Sequence, residues 1–427
     1  MPLDPDRIRE QFPALALEDD GQPRVYLDNP AGTQVPRRVL DRTHDYLVHM
    51  NANAGGVFRT SEATDALLEE AHRAVADLLN AASWREVVFG QNMTTLTFAF
   101  SRSLGRTLKP GDELILTRMD HDANVAPWLL LAEDLGLTVK WLPFDTTTYR
   151  YDLDALDGLL SERTRLAAVN YASNALGTIN DVRAICEKVH AAGGLVYVDA
   201  VQYVPHGPTD VQALGCDFLV CSAYKFFGPH QGILWGREAL LERLPAYKVR
   251  PASDALPFKF ETGTLSHEGM AGTLGAVEYL AWVGATMAAE YHDAYRHFPE
   301  RRRHVHAAMR AIAAYERTLS ERLIAGLQAI PGLTIHGITD PACFGERVPT
   351  VSFTLDGHHP RDVARRLAGA NIFVWDGDYY ACEVVRHLGL HTRGGLVRVG
   401  PCHYNTVEEI DRLVAAVAAL GEGRARP

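Results

Sequence analysis

Short apolar runs recur through the first two-thirds of the chain and predict strands over Val87–Gly90, Glu113–Arg118, Thr138–Phe144, Leu166–Tyr171, Leu195–Ala200, Phe218–Ser222 and Gly232–Gly236. Several are apolar at every position instead of alternating, the pattern of strands buried on both faces of a mostly parallel sheet. Between them the apolar spacing becomes helical over Thr94–Leu108, Ala123–Leu135, Leu153–Glu162 and Val182–Ala192, the last stopped by Gly193-Gly194. Strand and helix alternating in this way predict an open seven-stranded α/β sheet with helices on both faces. The pattern changes after about residue 275. Gly272–Ile330 reads as nearly all helix, with a charged stretch, Glu300–His306, expected to face solvent, and Pro331-Gly332 ends it. Strands over Leu333–His336, Thr350–Leu355 and Leu396–Val399 then alternate with helices over Arg361–Ala368, Tyr380–Gly389 and Val407–Leu420. The expected division is an N-terminal segment, 1–22, packing with the smaller domain, a large domain, 23–290, and a linker helix with a small α+β domain, 291–427.

Composition narrows the classes of function. The 427 residues are 47% hydrophobic and 22% charged, the balance of a globular chain long enough to bury a large core. Lys and Arg number 42 against 53 Asp and Glu, a net charge of −11, which argues against a nucleic-acid binder while leaving room for a local anion pocket. The six Cys form no CxxC and no cluster with His at zinc spacing, so they read as reduced core thiols and no metal site is expected. No P-loop, GxGxxG or HExxH is present; His267-Glu268 is followed by Ala271. The acidic start lacks the apolar core of a signal peptide and no apolar run approaches the roughly 20 residues that span a bilayer. A cytoplasmic protein without membrane or nucleic-acid partners is the expectation.

Ligands of open parallel sheets bind beyond the carboxyl ends of the strands, so the residues that follow each strand are the candidates. Thr94 and Thr95 open a helix after the first strand, where hydroxyls and free N–H groups suit a phosphate, although simple capping by Thr explains them as well. His121, Asn174, Asp199 with Gln202, and Ser222 with Tyr224 and Lys225 follow later strands. Each alone reads as a turn, cap or solvated residue. Together, an Asp closing one apolar strand and a Lys closing another put opposite charges in one crevice, fit for a cofactor that needs both a carboxylate and a covalent amine.

This constellation resembles the fold type I pyridoxal-phosphate (PLP) enzymes, in particular the class-V aminotransferase family and its cysteine-desulfurase-like branch. The resemblance runs from Tyr26-Leu27-Asp28-Asn29 to Arg398…Tyr404-Asn405-Thr406 and is strongest at Val198-Asp199-Ala200-Val201-Gln202, Ser222-Ala223-Tyr224-Lys225 and Phe260-Glu261-Thr262-Gly263-Thr264. It implies that Lys225 bonds the cofactor and shuttles the α-proton, that Asp199 pairs with the pyridine nitrogen, and that His121 stacks on the ring. It further implies Asn174 near the ring hydroxyl, Gln202 near its phenolate oxygen, and Thr94, Thr95, Ser222 and Tyr224 about the phosphate. Thr264 would serve the phosphate of the neighbouring subunit, which implies a homodimer with shared sites. Arg398 would clamp the carboxylate of a small amino-acid substrate, a task suited to a bidentate guanidinium, with Asn29, Tyr380 and Trp375 also at the substrate.

The sequence departs from the branch in three places. The residue before the Schiff-base lysine is Tyr224 where His is common, and a Tyr hydroxyl carries no positive charge. The Gly-His-His-Cys loop that supplies a sulfur-accepting thiolate falls on Gly377-Asp378-Tyr379-Tyr380, placing a phenol where the thiol belongs. An Arg before that loop is replaced by Trp375. Cys382 lies two residues on, but the helical pattern of Ala381, Val384, Val385 and Leu388 turns it away from position 380. With Tyr379, Tyr380 and Phe58, the substrate end is expected to be aromatic. The implied activity begins with loss of an α-proton. Elimination of a β-substituent, as in a C–S lyase, is the leading outcome, with transamination and epimerisation open, and a non-catalytic PLP-fold binding protein is the alternative of another class.

Overall fold

The computed structural model describes residues 3–422; residues 1–2 of the expected N-terminal segment and 423–427 of the expected last domain lie outside the described residues. The seven apolar runs form one sheet: β1 (Val87–Gly90), β2 (Glu113–Thr117), β3 (Thr138–Leu142), β4 (Thr164–Asn170), β5 (Leu195–Asp199), β6 (Phe218–Ser222) and β7 (Gly232–Gly236). Their order is β1-β7-β6-β5-β4-β2-β3. Only β7 runs against its neighbours β1 and β6; the other pairings are parallel. Every residue of β2 and of β6 is buried, as strands covered on both faces must be. The order departs from the chain sequence where β4 pairs with β2 and where β7 pairs with β1. Because β2, β4, β5 and β6 are parallel, the loops leaving them open on the same edge.

The second half builds a four-stranded antiparallel sheet, ordered Leu333–His336, Val351–Leu355, Leu396–Val399 and Trp375–Gly377. It packs on the helices Glu300–Gln328, Pro360–Gly369 and Val407–Glu422 through a core that includes Leu323, Phe353, Leu367 and Leu413. The N-terminal segment reaches both parts: Phe12 meets Phe227 and Tyr279 edge-on and lies 4.8 Å from the Tyr404 ring, while Arg9 pairs with Glu409 at 3.0 Å. Among the described residues no helix is long and apolar enough to cross a membrane.

Three expectations need correction. A helix over Arg59–Leu79 has no counterpart in the hydrophobic reading. The charged stretch Glu300–His306 does not simply face water. Arg301 and Arg302 reach Asp77 at 2.6 and 3.1 Å, and Val305 and His306 are buried. The helix expected over Tyr380–Gly389 is confined to Cys382–His387, because Tyr379 and Tyr380 take positive φ angles of 57° and 58°.

Candidate active site

A cavity of about 570 Å³ lies beyond the strand ends, lined by residues of the loops after β1, β2, β4, β5 and β6 and by the small sheet. It brings together Thr94, His121, Asn174, Asp199, Gln202, Ser222, Tyr224, Lys225, Trp375, Tyr380 and Arg398. Pro30, Asn92, Asp122 and Tyr379 also line it, and of the four only Tyr379 is expected there from the sequence.

Lys225 ends the single turn that follows β6, and its Nζ donates to the Pro30 carbonyl. Burial, reinforced by the Arg398 charge, brings its pKa down to about 7 despite Asp28 and Asp199. The amine is therefore a competent nucleophile near neutrality. Asp199 closes β5 and accepts the Val201 N–H at 2.9 Å. Burial pushes its carboxyl up to about 6, against that hydrogen bond and Lys225. A protonated pyridine nitrogen beside it would supply the missing countercharge. His121 accepts the Ala123 N–H at Nδ1, 3.0 Å, which leaves its proton on Nε2. Burial and the charges of Lys225 and Arg398 lower its pKa to about 3, so it is a neutral ring. Tyr380 stacks beside it with ring centres 5.5 Å apart.

The helix Met93–Gly105 starts at the cavity, and Asn92 caps it by accepting the Thr95 N–H at 2.9 Å. Asn92, Met93 and Thr94 face the cavity together with Ser222, a polar cradle at a helix N-terminus. The cradle depends on Gly232 of β7, where a Cβ would overlap the Asn92 backbone and lie 2.6 Å from the Met93 nitrogen. Arg398 is 3% exposed, donates to the Asn174 carbonyl at 3.2 Å and to Asp28 at 3.4 Å, and lies 4.5 Å over the Tyr379 ring. Its Nε and the side-chain oxygen of Asn174 are buried without a partner, polar atoms left for a ligand.

Several expected site residues fall elsewhere. Thr95 follows Thr94 by one helical step and so faces away; its hydroxyl bonds the Asn92 carbonyl, and it lines a second cavity of about 480 Å³ with Thr264. Asn29 is turned into the core, donating to the Gly400 carbonyl at 2.7 Å and accepting from the Tyr404 hydroxyl. Its neighbour Asp28 engages Arg398 instead, as alternation along an extended segment requires. Phe58 stands exposed outside the cavity lining. Cys382 begins its helix with Sγ 3.7 Å from Asp122 Oδ1 and does not line the cavity. Burial and the Asp122 charge raise its thiol pKa. Glu316, Cys402 and His403 are the only described His, Cys and acidic side chains clustered at possible metal-ligand spacing, and none lines the cavity.

A buried near-neutral lysine, a carboxylate lacking its countercharge, a neutral stacking imidazole and a cradle at a helix N-terminus fit PLP. The comparisons agree. The model of the family described as aminotransferase class-V matches residues 25–302 and 303–413, and the chain belongs to that family. Its relatives place it in the cysteine-desulfurase-like branch of fold type I enzymes, which use PLP. A cysteine desulfurase of Pectobacterium atrosepticum is 35% identical, with 97% of each chain covered. One of Yersinia pestis is 34% identical over 97% of this chain and 98% of its own. Among solved structures, a cysteine desulfurase of Thermococcus onnurineus is 26% identical with a TM-score of 0.87, covering 99% of this chain and all of its own. One of Escherichia coli is 28% identical with a TM-score of 0.81, covering 98% of each chain.

Proposed function

We propose that this PLP-dependent enzyme eliminates a sulfur substituent from the β-carbon of a small amino acid without passing the sulfur to a protein thiol. PLP supplies an electron sink for charge developing at the α-carbon. Lys225 would hold the cofactor through its amine, and that amine, when free, would be placed to take the α-proton. Asp199 keeps the pyridine nitrogen protonated, His121 covers the ring, and Thr94 and Ser222 hold the phosphate with the helix N-terminus. Arg398 binds the α-carboxylate. The bond between the β-carbon and sulfur then breaks with its electron pair on sulfur, which leaves as sulfide or thiol; the released unsaturated amine hydrolyses to a keto acid and ammonia. The active unit is a homodimer, with Thr264 serving the neighbour's phosphate.

The observation that carries this reading is the substrate loop. Tyr379 and Tyr380 stand at its tip, while the Cys382 Sγ is turned onto Asp122. A persulfide needs a thiolate that reaches the leaving sulfur, and a phenol, which has no sulfur, forms none. The relatives named cysteine desulfurase favour the second reading, transfer to Cys382. The test is Cys382→Ser assayed for sulfide and keto acid with cysteine and S-substituted cysteines. Retention of most activity is expected. Loss of turnover with PLP still bound, together with added sulfur on wild-type Cys382 by mass spectrometry, would establish the second reading instead.

A further inference from the structure

Gln202 meets the cavity on one side and a buried acid–base pair on the other. Its amide nitrogen lies 3.0 Å from Thr350 Oγ1 and 3.3 Å from His206 Nε2. His206 Nδ1 lies 2.8 Å from Glu316 Oε2, and the other Glu316 oxygen accepts the His403 N–H at 3.0 Å. Glu316 is 1% exposed in the middle of the long helix Glu300–Gln328, and neither it nor His206 lines the cavity. A Leu or Met would fill that place without burying a carboxylate, whose isolation from water is unfavourable unless it is paired. The proposed reaction leaves this pair without a task.

The pair governs which end of the Gln202 amide faces the ligand. Burial raises the Glu316 pKa while His206 opposes that shift, and whichever of the two carries it, one proton lies between His206 Nδ1 and the carboxyl. If Nε2 is bare, it accepts from the amide NH2 group and the amide oxygen is left for the cavity. If Nε2 also carries a proton, it donates to the amide oxygen, the Thr350 hydroxyl changes from acceptor to donor, and the NH2 group turns to the cavity. The same heavy-atom positions serve both arrangements. An anionic ring oxygen needs the second, since an amide oxygen would repel it. Cys402 and His403 cluster with Glu316. Burial holds the Cys402 thiol pKa well up, with the Glu316 charge acting in the same direction, and burial brings His403 down to about 3. Both are neutral, so His206 is the partner left to the carboxylate.

We infer that Glu316 and His206 are positioning residues that turn the Gln202 NH2 group toward the ring oxygen of the cofactor. The inference rests on the PLP reading of the cavity, and its test reads the visible absorption of the cofactor-loaded protein. Titrating that band follows the proton shared by Lys225 Nζ and the ring oxygen. Once the proton is gone the oxygen relies more on Gln202, so a donor there lowers the midpoint. Gln202→Ala, Glu316→Gln and His206→Asn should each raise it by about one pH unit, the worth of one hydrogen bond to a charged oxygen. Because the pair acts through Gln202, Glu316→Gln should add nothing in the Gln202→Ala background. Melting curves and retained cofactor certify each variant, and His206→Asn carries the test if Glu316→Gln does not fold. Midpoints unchanged in Gln202→Ala, or in both Glu316→Gln and His206→Asn, overturn the inference. So does a Glu316→Gln shift that persists without Gln202. A wild type with no visible band would instead reject the cofactor reading itself.

Discussion

At the scale of single residues, the site works by removing water from a few charges. Lys225 is held near a pKa of 7 against an ordinary 10.5, chiefly by burial and then by Arg398. At pH 7 an ordinary lysine is free amine in roughly one molecule in several thousand, whereas a pKa brought down to about 7 leaves a substantial share of Lys225 as free amine. The rate at which cofactor-free protein takes up PLP should therefore climb as pH rises through about 7 and level above it, because only the unprotonated amine attacks the aldehyde. Stopped-flow absorbance between pH 6 and 9 measures this. A rate still rising tenfold per unit at pH 9 would return Lys225 to an ordinary pKa. The same residue reports the linkage: between pH 7 and 10.5 the folded chain binds fewer protons at this position than the unfolded one, so the cost of burying it is full below 7 and fades as pH rises. Arg398 gives a separate residue-scale prediction. Arg398→Ala should weaken amino acids by about 2–5 kcal/mol of binding and barely affect simple amines, compared through the spectral titration of each. Equal losses would make Arg398 structural.

At the scale of elements, the cradle proposed for the phosphate exists because a strand and a helix N-terminus approach without a side chain between them. Gly232→Ala places a methyl against the Asn92 and Met93 backbone and should push the helix Met93–Gly105 off β7. PLP affinity, measured by equilibrium dialysis, should fall at least about tenfold, since the N-terminal N–H groups no longer converge on one point. Gly158→Ala, on the helix Leu153–Leu159 with nothing within 4 Å of the added atom, is the control and should raise stability by about 0.5–1 kcal/mol. Unchanged affinity in Gly232→Ala would show that the cradle does not hold the phosphate. This is also the scale that divides what the sequence discloses from what it hides. Strands buried on both faces announce themselves, and β1, β6 and β7 have the bounds their apolar runs predict. The helix Arg59–Leu79 hides because its buried face is built partly from Ser61, Thr64, His72 and several alanines, which mute the apolar period. Glu300–His306 reads as solvated because its ionic partners, Glu70 and Asp77, lie far away in the chain. The cavity residues are legible where one strand end fixes them, as with Asp199 and Lys225. Asn29 and Thr95 are misplaced by a single position, because one step along an extended segment or a helix reverses or rotates the side chain.

At the scale of the whole molecule, the second cavity and its surroundings bear on assembly. Thr264 is exposed on the loop before the helix His267–Met287, beside the second cavity and outside the lining of the one that contains Lys225. Val48, Val57 and Phe58 stand exposed at 59, 96 and 56%, apolar surface on a segment with nothing packed over it in one protomer. Both features are expected of a chain that completes its site with a second copy, and complementation tests it. Lys225→Ala removes the covalent amine, and Thr264→Ala, once shown to be strongly impaired alone, removes the hydroxyl offered to the neighbour. In a mixed dimer one site carries both defects and the other carries neither. Random pairing of equal amounts makes about half the dimers mixed, and one of their two sites is intact, so co-expression should restore about a quarter of wild-type specific activity. If Thr264 instead served its own protomer's site, every site of the mixture would hold one defect or the other and activity would stay at the level of the single variants. A fully active monomer by light scattering would remove the need for a partner altogether.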